Sequence, residues 1–209
     1  MADTKISALT AATAGANADE YAINQSSTSK KITGSLKKEW LGCVLYNADA
    51  SQQAPASSAT TYLTGSNITV PAGKLRANTV FRWTIQLGKT NAGTAARSIL
   101  VLVGTAGTTS DATIATLTSG TPSGATDTGC YIVTFAVTSI GASAASRAAY
   151  QAMHQLSTTG LFANETEAIT AAGTAFDSTT ANLIVGLAVT TGASEALTIY
   201  SMIAEAFNL

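Results

Sequence analysis

Residues 80–87 read VFRWTIQL, and they alternate without a break. Phe81, Trp83, Ile85 and Leu87 fall on one face, while Arg82, Thr84 and Gln86 fall on the other. A period of two with one apolar face is the mark of a half-buried antiparallel strand. The same pattern spreads outward along the chain. Tyr131, Val133, Phe135 and Val137 alternate, as do Leu197, Ile199, Ser201 and Ile203 within 197–207. Residues 97–103 end in the apolar run ILVLV, which Gly104-Thr-Ala-Gly107 closes. Further β-runs are 62–70, which leads into the turn Pro71-Ala72-Gly73, then 112–118 and 183–189.

Residues 144–156 fit two periods. Ala149, Tyr150 and Met153 would share a helical face, whereas Ala148, Tyr150, Ala152, His154 and Leu156 would line one side of a strand. The all-β surroundings favour the strand. Counting it, eight short strands with Gly/Thr/Ser turns predict a jelly roll or β-sandwich of about eight antiparallel strands over 62–209.

Ahead of that domain lies a different kind of sequence. Residues 1–45 form an N-terminal arm holding five of the chain's eleven basic residues. Residues 5–9 (KISAL) suggest a first short strand, 20–24 (EYAIN) a second, and 30–33 (KKIT) a third that pairs with the second as a hairpin. Ser35 is placed to cap a brief helix over 36–41, with Leu36 and Trp40 on one face. Pieces this short do not hold alone in water, so the arm must pack on something. Residues 46–61 (YNADASQQAPASSATT) are polar and small, which suggests a linker.

Composition narrows the function. Only 11% of residues are charged, against roughly 25% in a typical domain. Such a surface suits contact with copies of itself or with protein neighbours. Net charge is −1. Ten basic residues spread over 1–97 without interleaved aromatics make no nucleic-acid footprint. No run approaches 18 apolar residues, so no membrane insertion is expected. The opening MADTK lacks an apolar segment, so no signal peptide is expected. Asn24, Asn67 and Asn164 begin sequon triplets that are read as chance in a Ser/Thr-rich chain.

Signals of chemistry are weak. Cys43 and Cys130 are too few for a disulfide framework or a metal site and are expected to be small buried apolar residues. His154 is the single histidine, with no GxSxG elbow to serve. The glycines at 104 and 107 lack the spacing and lysine of a phosphate loop and read as a β-turn. Glu165, Glu167 and Asp177 match no calcium loop. Asp111 and Asp127 sit in turn-like contexts. No reaction, cofactor or metal is expected.

A family resemblance adds to these readings. The arm, with KISAL at 5–9, DEYAI at 19–23 and KKIT at 30–33 before Leu36, resembles the N-terminal region of many tailed-bacteriophage virion proteins. The domain resembles the jelly-roll modules of phage fibre, spike and decoration proteins, through 68–73 (ITVPAG), 78–83 (NTVFRW), 103–108 (VGTAGT) with Ser110 and Asp111, and 197–209. The resemblance implies a structural component of the virion, assembled in the host cytoplasm. It implies a homotrimer docked to capsid, collar or tail through the arm, with no long shaft. Ile6, Leu9, Ile23, Ile32, Leu36 and Trp40 are the candidate attachment residues. The alternative is a module that binds a host surface glycan or receptor, with Tyr62, Trp83, Tyr131 and Tyr150 as candidate stacking rings. Trp83, on an all-apolar face, reads better as core.

Overall fold

The computed structural model describes residues 20–25, 28–33, 45–89, 93–119, 121–122, 124, 126–154, 168–179 and 181–209. The chain divides into two compact units, Met1–Cys43 and Val44–Leu209.

The first unit contains β1 (Glu20–Gln25) and β2 (Thr28–Thr33), paired antiparallel from Glu20↔Thr33 to Gln25↔Thr28. This is the expected hairpin. The expected strand at 5–9 and helix at 36–41 lie outside the described residues.

The second unit is a β-sandwich of two antiparallel sheets. One sheet has six strands in the order β11-β10-β9-β6-β13-β3. These are β3 (Leu45–Asp49), β6 (Val80–Lys89), β9 (Asp127–Val137), β10 (Ser146–His154), β11 (Ala168–Ala172) and β13 (Leu197–Phe207). The other has the order β4-β12-β7-β8, with β5 also paired to β12. Its strands are β4 (Thr60–Tyr62), β5 (Ile68–Val70), β7 (Ser98–Gly104), β8 (Ala112–Thr118) and β12 (Leu183–Thr190).

Alternation places the core. Phe81, Trp83, Ile85 and Leu87 are all at most 1% exposed, and they face Val101, Val185 and Leu187 of the other sheet's inner side, each fully buried. Register brings Phe81 opposite Phe135 and Trp83 opposite Val133. The rings then continue as Trp83–Phe81–Phe135–Phe176, with centroids about 6 Å apart (6.1, 6.0 and 6.2 Å). At that spacing aromatic pairs add roughly 0.5–1.5 kcal/mol each beyond burial.

Residues 146–154 are a strand, as period two indicated. Ala148 and Tyr150 point into the core at 1% and 2% exposure, and Tyr150 meets Tyr131 edge-on at 5.0 Å. Four features depart from the sequence reading. In 197–207 a bulge at Tyr200 breaks the alternation, so Leu197 and Ile199 face the core, Ser201 and Ile203 face outward, and Met202, Ala204 and Ala206 take over the inward side. The run 62–70 is two strands, because Gly65 adopts φ +78° and turns the chain between β4 and β5. Any Cβ at Gly65 would strike the backbone and side chain of Asp49. The stretch 46–61, expected as a linker, contributes the edge strand β3, and Gln53 bridges Ile199 further on. Among its inward positions is Asn47, whose amide donates to Asn67 O and Oδ1, both at 2.8 Å, in place of an apolar contact. Finally β11 (AITAA) extends the sheet beyond β10, an addition whose small residues carried no period.

Candidate functional site

The outer face of the six-stranded sheet is broad. Across it register sets Tyr46, Glu205, Arg82 and Thr134 in one row, then Ala48, Ile203, Thr84 and Ile132, then Ser201, Gln86 and Cys130. Arg82 donates to Glu205 Oε2 through Nε at 2.9 Å and Nη2 at 2.6 Å. Its guanidinium also lies 5.2 Å from the centroid of the Phe207 ring. Among the described residues the exposed large hydrophobics are Tyr46 (64%), Ile140 (54%), Tyr200 (38%) and Ile203 (38%). Ile140 sits in the β9–β10 turn. The other three are on this face, with Tyr200 lying over Gly88. The Cys130 thiol on the same face is half-buried, and burial pushes its pKa up, so it stays a neutral thiol. Cys43 lies outside the described residues.

The outer face of the five-stranded sheet differs. Thr60, Thr190, Ser98 and Thr118 form a row of hydroxyls across β4, β12, β7 and β8. Two pairs are hydrogen-bonded, Thr60 with Thr190 and Ser98 with Thr118, each at 2.8 Å. The next rows hold Tyr62, Ala188, Leu100 and Thr116, then Gly186, Leu102 and Thr113. None of these outward positions is charged. The Tyr62 hydroxyl occupies the space a Cβ at Gly186 would need. Desolvation there pushes the phenol up to about 12, opposed in part by the Ser66 hydrogen bond, with the Asp111 carboxylate adding a lesser rise.

At one end of the sandwich four charged side chains are buried: Lys89, Arg97 and Glu195 at 1% exposure and Asp127 at 5%. Lys89 and Asp127 are cross-strand partners on β6 and β9. Arg97 and Glu195, preceding β7 and β13, form an ion pair of 3.1 Å with both side chains at 0% exposure. This pair links the two sheets at their ends. Ser119 holds the Arg97 backbone in place, donating from N at 2.9 Å and from Oγ at 3.1 Å to its carbonyl. Sequence reading did not single out this cluster. Its members are far apart in the chain and meet only through register.

The candidate reactive residues resolve into structure. The 104–107 segment is a turn, and β8 follows it. Asp111 closes it by accepting from the backbone N–H groups of Ala106 (3.0 Å), Gly107 (2.7 Å) and Thr108 (3.3 Å). Asp127 lies within the buried cluster at the start of β9, so it does not close an exposed turn. Asp177 accepts from Thr179 N and Oγ1 at 2.8 and 2.7 Å. His154 ends β10 opposite Gly129. Glu165 and Glu167 lie outside the described residues. Among the described residues, His, Cys, Asp and Glu side chains form no group of three fit to hold a metal. Trp83, Tyr131 and Tyr150 are at most 2% exposed. They cannot stack on a sugar, because the inter-sheet core has taken both faces of each ring; Tyr62 is half-buried over Gly186. Leu63, Ile85, Ile99, Tyr131 and Val189 help to line an apolar gap between the sheets. It has room for about one water, where ligand pockets run to roughly 300–1,000 Å³.

Of the candidate attachment residues, Ile23 and Ile32 lie on the hairpin, opposite Lys30 and Tyr21 respectively. Ile6, Leu9, Leu36 and Trp40 lie outside the described residues.

No protein-family model matches the chain, and no curated protein is similar to it in sequence. Among solved structures, the chain is similar to a protein of unknown function from Shewanella oneidensis MR-1, at 11% identity and a TM-score of 0.34, over 85% of this chain and 95% of that one. A likeness this loose carries no argument about function.

Proposed function

We propose that this chain is a non-enzymatic structural component of a tailed-bacteriophage virion. In this reading it is a homotrimeric fibre, spike or decoration protein, docked to capsid, collar or tail through its N-terminal arm. The sequence resemblance of the arm and domain is where the reading starts.

Strand order supports the jelly-roll form of the sandwich. With β4 and β5 counted as one and β10 and β11 as an addition at the edge, eight strands numbered in chain order pair as 1-8-3-6 in one sheet and 2-7-4-5 in the other. That wrapped order of two Greek keys is the jelly-roll order.

The observation that carries the proposal is how charge is disposed. Lys89, Arg97, Asp127 and Glu195 are buried, Arg82 and Glu205 are spent on each other, and the five-stranded sheet has no charge in its outward rows, which leaves few exposed charges such as Arg76 and Arg147. Such surfaces suit permanent protein neighbours better than solvent. The arm, a separate unit carrying a hairpin, supplies the docking element; strand addition and burial of Ile6, Leu9, Ile23, Ile32, Leu36 and Trp40 would hold it. Burial of one large apolar side chain is worth roughly 1.5–3 kcal/mol, and three chains would multiply the hold by avidity.

The test is particle incorporation of full-length protein carrying Leu36→Arg and Trp40→Arg. The expected result is a variant that keeps its oligomeric mass but is missing from purified particles. Unchanged incorporation would remove the arm's docking role, and absence of the unmodified protein from particles would remove the virion assignment.

A further inference from the structure

We infer that the outer face of the six-stranded sheet is the surface through which copies of this chain pack on one another. The inference rests on the homotrimer reading and assigns it a face. Three of the four exposed large hydrophobics among the described residues, Tyr46, Tyr200 and Ile203, stand on this one sheet. Large apolar groups clustered on one face mark an interaction surface.

The charges at the centre of the face are prepared for burial, while Arg147 stands exposed toward its β11 side. Arg82 is held by Glu205 through two donors and lies over Phe207, so the pair brings no net charge into an interface. An ion pair already hydrogen-bonded in the free chain meets less of the desolvation penalty that makes lone buried charges costly. Around it stand Thr84, Gln86, Thr134 and Ala48, neutral and short.

Size agrees. Strands of 5 to 11 residues, at about 3.3 Å per residue and about 4.8 Å apart, give a face of roughly 800 Å², close to the roughly 800 Å² each partner contributes to a standard stable interface. The other sheet offers less. It is narrower, and its outward Leu102 and Ala188 are already covered, at 2% and 0% exposure.

The chemistry favours a second copy as occupant. A nucleic acid or an anionic membrane needs several unspent cations; with Arg82 committed to Glu205, Arg147 alone is left on the described strands of this face. A sugar needs a concave site with convergent polar groups, and this is an open sheet face. The same apolar-centred face of neighbouring copies, gathered around one axis, is what it complements.

The experiment is light scattering and sedimentation velocity on the full chain, unmodified and as Ile203→Arg, Ala48→Arg and, on the opposite face, Thr116→Arg. All three sites are exposed, and circular dichroism with thermal melting confirms that each variant folds. The expected result is an oligomer whose association weakens at least tenfold in both Ile203→Arg and Ala48→Arg and is unchanged in Thr116→Arg. An unmodified chain that is monomeric overturns both this inference and the homotrimer reading. An oligomer that survives both face substitutions, or breaks with Thr116→Arg alone, overturns the face and leaves the homotrimer standing. A monomer that binds arrayed glycans and loses them in Ile203→Arg gives the face to a sugar and overturns the inference.

Discussion

The indole nitrogen of Trp83 donates to the carbonyl of Ser66 at 2.7 Å, joining the central strand β6 of one sheet to the β4–β5 corner of the other. Ser66 is itself saturated. Its hydroxyl donates to Leu63 O at 2.6 Å and accepts from Leu187 N at 3.0 Å. One buried serine thus fixes a corner, a strand and an indole.

Trp83→Phe is therefore expected to cost about 2–4 kcal/mol, since it removes ring volume and strands the Ser66 carbonyl at a fully buried site. Ser66→Ala is expected to cost about 1–3 kcal/mol by stranding Leu187 N–H. Urea denaturation checks both: midpoints should fall with unchanged slope. A loss under 0.5 kcal/mol for Trp83→Phe would show that the bond does not hold the sheets together.

The part of this arrangement that sequence showed was its alternating strands. VFRWTIQL at 80–87 and the alternation at 131–137 gave both the strands and their inward faces, because each buried position is apolar and the outward ones, Val80 and Ile132 apart, are polar or small. Tyr150 could be placed inward by the same rule. Strand β3 escaped because its inward residues include Asn47, satisfied by Asn67 across the sandwich, and Asp49, which together mimic a polar linker. The corner at Gly65 escaped because a positive φ leaves no period. The buried charges escaped for a different reason. Lys89 and Asp127 meet only once β6 and β9 are in register, and no local window holds both. The exposed face was legible only as low charge; that Tyr46, Tyr200 and Ile203 share it is a fact of pairing.

Tyr62 offers a test by pH. Folding holds its phenol protonated to about 12, against 10.0 for the ordinary group, chiefly by desolvation. The unfolded chain therefore ionises first, and Tyr62's contribution is intact below pH 10 and lost as pH rises through about 12. Tyr62→Phe should flatten that part of the stability–pH curve, and the phenolate absorbance titration should lose its latest-titrating component. Gly186→Ala should be destabilising in the unmodified chain and less so beside Tyr62→Phe, because the hydroxyl that a new Cβ meets is gone. Equal cost in both backgrounds would mean that the ring does not sit over Gly186.

Two ion pairs in one molecule should behave in opposite ways. Arg97–Glu195 is at 0% exposure on both sides, whereas Arg82–Glu205 is at 46% and 23%. Removing one member of the buried pair leaves a charge in a site closed to water, so Glu195→Gln and Arg97→Met are each expected to cost about 3–5 kcal/mol. The double variant Arg97→Met/Glu195→Gln should cost less than the sum of the two, since no unpaired guanidinium or carboxylate remains. Breaking the exposed pair with Glu205→Gln should cost about 0–1 kcal/mol, shrinking further in 1 M salt, where the screening length is about 3 Å. Salt should leave the coupling of the buried pair nearly unchanged, because solvent ions do not reach it. Denaturant melts at low and high salt across the four variants read all of this. Additive losses at Arg97 and Glu195 would mean that the pair does not act as a unit in clamping the ends of the two sheets.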